Sequence, residues 1–580
     1  MCKIISSHST HTNCRGDGSA HRVTEAIISL REKAVRSTTL ERLRLTREAD
    51  LEVQGMPQPL QLGEGLYYLL DHISLPTSPH DLLVGRIAET VPDEEEEALF
   101  QATVEAWEGK GVPPWILDLG HECFAWDRLL ELGLAGLEAF AQERLEAHLV
   151  AEESYARADF LRGAVRVYQA LRRYARRYAD AACEAGLEEA AARCARLAER
   201  PPETFAEALQ LMWLVGHVYC TMVARNPTLT FGRMDELLLP FYRHDLARGH
   251  LTRNLAGDLI EDFYCKNNLV LGRGEHQMGL GWARTLSTEK DTGWARNLTY
   301  DAPQYVVIGG RRADGSDVAN ELTVLFLERI APRFENPVIV LRYTPDLPEP
   351  VWRLACEKMR ANASMMVYND ENVIPAMVRA GIDPEDAVTY TMHGCNWPDV
   401  PGIQHASRVF ALDLPNLLRD VLLSSEDGLR GMDDLYEQLT LLVSQEAAAL
   451  CERGREIIRD WRGRAPGPLR VDDLFLDGPV ARACTTRAGG VKYTDNLICA
   501  IRGIATAADC LTVLDELVYR SGQVTLDALR QALRDDFAGL ETLRQQCVRA
   551  PKFGQDDPRA DGYAVRTLQL ALDAVDLASR

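Results

Sequence analysis

Over the first 240 residues apolar positions recur at helical spacing, with Glu and Arg on the opposite faces, as in RLLELGLAGLEAFAQERLEAHL at 128–149. This spacing predicts successive amphipathic helices from about residue 22 to 240. Near residue 300 the pattern changes. The β-branched runs YVVIGG (305–310) and PVIVLRY (337–343) predict buried strands, and DVANELTVLFLERIA (317–331) between them predicts a helix. Strand, helix, strand in that order implies parallel pairing and an α/β core. The segment 351–395 repeats the logic with a helix (VWRLACEKMRANA), a short strand (MMVYND), a helix from IPAMVRAG, and then DAVTYTMHGCNWPDVPG. Residues 409–475 read as a helix-rich linker and 496–580 as a closing helical array. There is no repeat at a fixed period and no low-complexity tract.

Composition adds limits. The 580 residues are 46% hydrophobic and 26% charged, as in a soluble chain with a large core. No stretch approaches the roughly 20 unbroken apolar residues of a membrane span, and the opening MCKIISSHSTHTNCRGDG has no apolar signal region, which places the chain in the cytoplasm. A formal charge of −22 argues against nucleic acid as a partner, because that affinity rests on clustered Lys and Arg. The 14 cysteines are scattered without a CxxC pair, which suits a reducing compartment. His8, His11 and Cys14, with Cys2, have metal-like spacing, but they lie in a polar leader, residues 1–21, that reads as disordered. No metal or cofactor is expected to be bound by this chain.

Chemistry concentrates at Tyr390-Thr-Met-His-Gly-Cys-Asn-Trp-Pro-Asp-Val-Pro-Gly402. Gly394, Pro398, Pro401 and Gly402 rule out a regular helix or central strand, since Pro removes donors and Gly frees the backbone. The run reads as a rigid loop tip presenting one thiol, Cys395. Taken alone, a single Cys in a loop is more often inert than catalytic.

Reading outward from Cys395, ordered motifs stand on both sides of it. Gly381-Ile-Asp-Pro-Glu-Asp-Ala-Val-Thr-Tyr-Thr-Met-His-Gly-Cys395 follows the pattern GVSxEDAxxYxxxGC, and Tyr368-Asn369-Asp370-Glu371 follows FNDE. Gly309-Gly310, Asp314-Gly315, Asp317 and Asn320-Glu321-Leu322 follow GGxxxDGxDxxNEL, and Thr230-Phe-Gly-Arg-Met-Asp235 with Pro240-Phe-Tyr242 and Asp245 follows SFGRxDxxLxPFYxxD. Downstream, Ala508-Asp509-Cys510-Leu511 and Pro551-Lys-Phe-Gly-Gln-Asp556 match ADSL and PKYGND. On these motifs the chain resembles the glycyl radical enzyme family, pyruvate formate-lyase-like, over nearly its whole length beyond the leader, so that residues 22–580 form its catalytic domain.

The resemblance implies an α/β fold, a barrel of two parallel half-barrels surrounded by helices, with a large helical N-terminal half and the cysteine loop threaded into the centre. In the family a backbone glycyl radical takes hydrogen from the cysteine, and the thiyl so formed takes hydrogen from substrate. Sulfur suits this exchange because an S–H bond is close in strength to an activated C–H. Dehydratases and lyases of the family place a Glu two residues after the cysteine as general acid/base; here Trp397 stands there. A Trp transfers no proton at neutral pH, so the role falls to His393 or Asp399 if it is filled at all. His393 otherwise reads as a solvent-facing loop residue and Asp399 as a turn former. The resemblance also makes His121 (in Asp118-Leu-Gly-His121), Asp235, Arg233, Asn396 and Trp397 candidates for lining a substrate pocket. The plainer readings are a helix-flanking histidine, a helix N-cap aspartate, and an arginine paired with a neighbouring acid.

Full-length members continue past PKYGND through ATPDGR to the RVxGY radical loop, whereas this sequence ends soon after Asp557. Arg559-Ala-Asp-Gly-Tyr-Ala564 resembles RVxGYS only superficially, and Gly562 reads better as a helix-flanking glycine. The resemblance therefore implies a small protein partner carrying the missing strands and glycyl radical in trans, installed by a radical-SAM activating enzyme with its 4Fe-4S cluster and S-adenosylmethionine. A homodimer of this large component fits as well. The expected activity is a lyase or transferase that cleaves or forms a C–C or C–heteroatom bond in a small organic molecule. Two alternatives stay open: adenosylcobalamin as the radical source on the same barrel, and a catalytically inactive homologue acting as a binding subunit.

Overall fold

The computed structural model describes residues 37–86, 98, 120–151, 154–223, 228–270, 304–332, 334, 336–362, 364–392, 397–405, 408–424, 428–494 and 497–580. The leader, with His8, His11 and Cys14, lies outside them. The chain falls into two compact units, one formed by 1–405 with 465–493 and the other by 406–464 with 494–580.

In the first unit long helices span Gln58–His72, Trp126–Val150, Tyr155–Glu184 and Phe205–Val218. Within Trp126–Val150, Gly133 adopts φ 62° and breaks the helix. These helices support a five-stranded sheet, all of it parallel: β1 (Glu122–Cys123), β2 (Leu229–Arg233), β3 (Gln304–Gly309), β4 (Val338–Tyr343) and β5 (Met365–Asn369), in that spatial order. β3 and β4 pair over five residues, Tyr305↔Val338 to Gly309↔Arg342. Both faces are covered, which is why these strands read as unbroken apolar runs rather than as an alternation. Val306, Ile308, Ile339 and Leu341 pack with the helices in the main core, which includes Phe263, Leu322 and Phe326. Tyr305, Val307 and Val340 face the other way, into a separate cluster. The helix Glu321–Glu328 between β3 and β4 starts at a capping box, Asn320 with Thr323.

The second unit carries a parallel pair, β8 (Arg408–Asp413) with β9 (Leu497–Arg502). Around it lie the helices Leu414–Ser424, Met432–Gly463, Ile504–Val513 and Pro558–Ser579, whose core includes Leu412, Leu418, Leu439, Leu511 and Ala571. No helix among the described residues is long and apolar enough to cross a membrane.

The strands predicted at 305–310, 337–343 and 365–370 form as β3, β4 and β5. Among the described residues, β1, β2, β8 and β9 do not follow from the pattern. β1 and β2 lie inside the stretch read as helical scaffold, and β8 and β9 open the stretches read as linker and helical array. β1 has two residues, and β2, LTFGR, is buried on both faces and broken by a glycine, so neither carries a period of two. Gly562 lies within the helix Pro558–Ser579, not at its flank and not in a loop.

Candidate active site

The segment holding Cys395 is bracketed by a two-stranded antiparallel ladder, β6 (Thr391–Met392) against β7 (Pro398–Asp399), with Thr391↔Asp399 and Met392↔Pro398 in register. Residues 393–396, and so His393, Cys395 and Asn396, lie outside the described residues. The ladder sits on the face of the sheet turned away from the helices. Met392, Tyr390 and Val400 join Tyr305, Val307 and Val340 in one apolar cluster there. The Thr230 hydroxyl of β2 donates to the Met392 carbonyl, fixing β6 to the sheet. Beyond β7 the chain is stitched to β1: the Gly402 amide donates to the Cys123 carbonyl at 3.0 Å. Gly402 has φ 73°, and a Cβ there would fall 2.6 Å from that of Ala125, so no larger residue fits this approach.

The entry to the ladder is held by a buried ionic network. Arg342, the one charged residue of β4, is fully buried and grips Asp370 through two N–H groups, Nε to Oδ1 at 3.0 Å and Nη2 to Oδ2 at 2.7 Å. Its remaining donors reach the Tyr390 carbonyl (2.8 Å) and the Val388 carbonyl (3.0 Å), five and seven residues before the cysteine. Tyr390 closes the loop: its hydroxyl donates to Asp370 Oδ1 at 2.7 Å, and the guanidinium lies 3.8 Å from its ring centroid. Burial pushes the Tyr390 phenol far above its ordinary range, so it stays a donor. On the exit side His405 Nδ1 lies 3.0 Å from Glu122 Oε1 of β1, while Arg487 Nε donates to His405 Nε2 at 3.2 Å. Nε2 therefore accepts and the proton sits on Nδ1. Burial, against the raising influence of Glu122, holds this histidine neutral with a pKa of about 4.

The structure brings two predicted pocket residues together. The His121 ring stacks on Trp397, centroids 5.6 Å apart and planes 22° from parallel. His121 flanks β1 rather than a helix: it has φ 67°, and its amide donates to the Thr228 carbonyl at 2.7 Å. Trp397 is two residues from Cys395, so this aromatic wall stands beside the thiol in sequence. Asp399 is buried in β7, where Oδ1 accepts from the Val400 amide at 3.0 Å. Cys123 of β1 faces the same place. Burial raises its thiol strongly, opposed by a hydrogen bond with Thr391 and reinforced by the charge of Asp399.

Arg233 ends β2 with only 7% of its surface exposed. It pairs with Glu236 at 3.0 Å, as the plainer reading expects, while among the described residues Nε finds no hydrogen-bond partner. Burial and the neighbouring Arg342 lower it to about 10. Asp235 is not an N-cap. Arg233 holds that position, and the Asp235 carboxylate instead accepts from the Gly309 amide (2.8 Å) and the Thr323 hydroxyl (2.6 Å), tying the end of β3 to the start of the next helix. Among the described residues Oδ1 is left without a partner, and burial raises the group from 3.8 to about 6. A carboxyl raised in the folded state stabilises the fold below its unfolded pKa and loses that contribution as pH rises through the folded one. We expect Asp235→Asn, which mimics the protonated acid, to remove a pH-dependent loss of about 3 kcal/mol that the parent shows between pH 4 and 7. Urea-unfolding midpoints of both proteins across that range would check this; parallel curves would count against it.

Comparison with known proteins now adds the decisive observation: a family model described as pyruvate formate lyase-like matches residues 113–579. The chain belongs to this family. Among relatives, the probable dehydratase YbiW of Escherichia coli strain K12 is 28% identical over 78% of the chain and 58% of its own length. The (2S)-3-sulfopropanediol dehydratase of Klebsiella oxytoca is 26% identical over 83% and 59%, respectively. The isethionate sulfite-lyase of Nitratidesulfovibrio vulgaris is 27% identical over 76% and 55%. The chain thus spans 55–59% of the length of these relatives. The glycerol-bound B12-independent glycerol dehydratase of Clostridium butyricum superposes with a TM-score of 0.79 at 21% identity, over 99% of this chain and 79% of that one. A glycyl radical enzyme from Archaeoglobus fulgidus gives 0.79 at 21% over 95% and 79%. The fold is that of the pyruvate formate lyase-like barrels.

Within that family fold the Arg342–Asp370–Tyr390 network escaped the sequence reading as a unit. Two of its members sit inside quoted motifs, Asp370 in the FNDE-like element and Tyr390 in the approach to Cys395. The available signal was Arg342 itself, a lone charge in an otherwise apolar buried strand, which has to find a partner.

Proposed function

We propose that this chain is the catalytic body of a glycyl radical lyase, in which Cys395 carries the working thiyl. The observation that supports this best is the ladder around the cysteine, fixed to a parallel sheet from β1, β2 and β4 by buried bonds. A radical at sulfur needs a tip that does not wander and surroundings that exclude water. In the step we propose, the Cys395 S–H bond breaks homolytically and its hydrogen atom passes to the glycyl radical, forming a C–H bond there. The thiyl then takes a hydrogen atom from substrate and returns it to product. The glycyl radical is installed by a radical-SAM activating enzyme, all in the cytoplasm.

The substrate is a small organic molecule bound against the His121–Trp397 wall. Dehydratase and sulfite-lyase relatives favour cleavage of a carbon–heteroatom bond. With Trp397 two residues after the cysteine, proton transfer falls to another group, and Asp399 and His393 are the candidates. The test is to combine the chain, free of oxygen, with the glycyl-radical portion of the relatives and an activating enzyme, then to record electron paramagnetic resonance spectra and product formation. An organic radical signal with turnover of a diol or hydroxysulfonate supports the reading. A signal without turnover of any candidate in the presence of this chain overturns it.

A further inference from the structure

The chain on both sides of the β6–β7 ladder is held by one residue, Tyr493. Its backbone runs beside the exit. The Tyr493 amide donates to the Ile403 carbonyl at 3.0 Å, the His405 amide donates to the Tyr493 carbonyl at 3.1 Å, and Gln404 and Tyr493 form a parallel bridge. Its side chain reaches the entry. The Tyr493 hydroxyl donates to Asp386 Oδ2 at 2.7 Å and accepts from the Asp383 amide at 3.1 Å, which places it at the short helix Pro384–Ala387 that leads into Tyr390 and β6. Between these two grips the ring packs, partly buried, against the cluster that holds Tyr390, Met392 and Val400.

Lys492 is the weaker neighbour. Its Nζ lies 2.5 Å from Asp383 Oδ2 and 2.6 Å from Asp386 Oδ2, but the lysine side chain is 45% exposed and that of Asp383 54%, and ion pairs so open to water contribute little. The hydroxyl of Tyr493 differs in kind, because the residue that carries it is stitched by its own backbone to the far side of the ladder. β6 and β7 pair over only two residues each, and a two-stranded ladder is marginal in water, so this one depends on anchors outside itself. The Arg342 network grips the entry at Val388 and Tyr390, and the Gly402 amide grips the exit at β1. Tyr493 does something further: it couples the two sides, shortening the loop left free between them.

We propose that Tyr493 is a positioning residue for the Cys395 segment, its backbone and hydroxyl together fixing the exit of that segment relative to its entry. The consequence for turnover rests on the function proposed above, whereas the consequence for the segment does not.

Tyr493→Phe removes one oxygen and keeps the ring and the backbone bonds. Amide hydrogen exchange on the full chain, read on fragments covering residues 384–405, is expected to quicken about tenfold in this variant, while fragments covering β3 and β4 keep the parent's rates. Asp386→Ala should reproduce the effect, and adding Tyr493→Phe to it should add little, because both remove the same bond. Lys492→Met should give a smaller change. Tyr519→Phe, which removes a hydroxyl bonded to the Leu429 carbonyl in the second unit, should leave 384–405 unchanged. With radical and substrate supplied, Tyr493→Phe should lower kcat about tenfold to a hundredfold with KM little changed, and unaltered exchange in β3 and β4 would show that folded enzyme had not been lost. Parental exchange at 384–405, a quickening shared equally by β3 and β4, additive effects of Asp386→Ala and Tyr493→Phe, or a parental kcat alongside faster exchange would each overturn the proposal. A parent chain without turnover would count against the function proposed above, and the exchange rates would then decide on Tyr493.

Discussion

Replacing Cys395 with Ser is expected to abolish turnover, a loss on the order of 10⁶-fold or more because only the uncatalysed reaction remains. The substitution changes one atom. Oxygen holds its hydrogen too tightly for a carbon-centred glycyl radical to remove, so the relay stops at its first transfer. The glycyl radical itself should persist, since nothing consumes it. The expected pair of results is therefore an undiminished organic radical signal with no product. The same change at Cys451, which lies in the second unit, should leave product formation intact. Measurable turnover by Cys395→Ser, above that of protein without the radical, would remove the thiyl from the reaction and the proposed function with it. Loss of the unfolding transition would instead mark a folding defect, and for that reason the unfolding curve belongs beside the assay.

How far the sequence discloses this site depends on which residues signal by pattern. β3, β4 and β5 are legible because each is a run of β-branched and apolar residues closed by glycine or polar punctuation. β1 and β2 are not, since a two-residue strand and a buried LTFGR have no period to read. The glycines and prolines around Cys395 mark a break in regular structure that the two-residue strands β6 and β7 flank, while residues 393–396 themselves lie outside the described residues. What the motifs leave unsaid is why they contain the residues they do. Asp370 of the FNDE-like element and Tyr390 of the approach motif lie 20 residues apart and meet both directly and through Arg342, which sits on a strand between two helices and reaches both. Asp235 reads equally well as a cap or as a substrate contact until the fold shows it holding the amide of Gly309 and the hydroxyl of Thr323. Pairings across the sheet carry no local signature, so they emerge only with the coordinates.

That network sets the second large effect, on stability. Arg342→Met keeps the length and apolar stem of the side chain but strips every donor. Asp370 then stays fully buried with its charge, supported among the described residues only by the Tyr390 hydroxyl and the Arg311 amide (2.9 Å), and the Val388 and Tyr390 carbonyls lose these donors. Removing one partner of a buried ion pair costs about 3–5 kcal/mol, because the penalty is that of the uncompensated charge. Adding Asp370→Leu to Arg342→Met should recover part of that loss, the signature of a coupled pair. Arg342→Lys should fall between parent and Arg342→Met: it keeps the charge but has no planar fork with which to hold Asp370 and two carbonyls together. Urea unfolding of the four proteins would measure this order, and an Arg342→Met cost under about 1 kcal/mol, the scale of an exposed pair, would show that the bridge is not a keystone. The same series should separate positioning from folding. On the proposed function, Arg342→Lys, still folded, should lower kcat more than it raises KM, because the guanidinium bonds Asp370 and the Tyr390 and Val388 carbonyls ahead of Cys395.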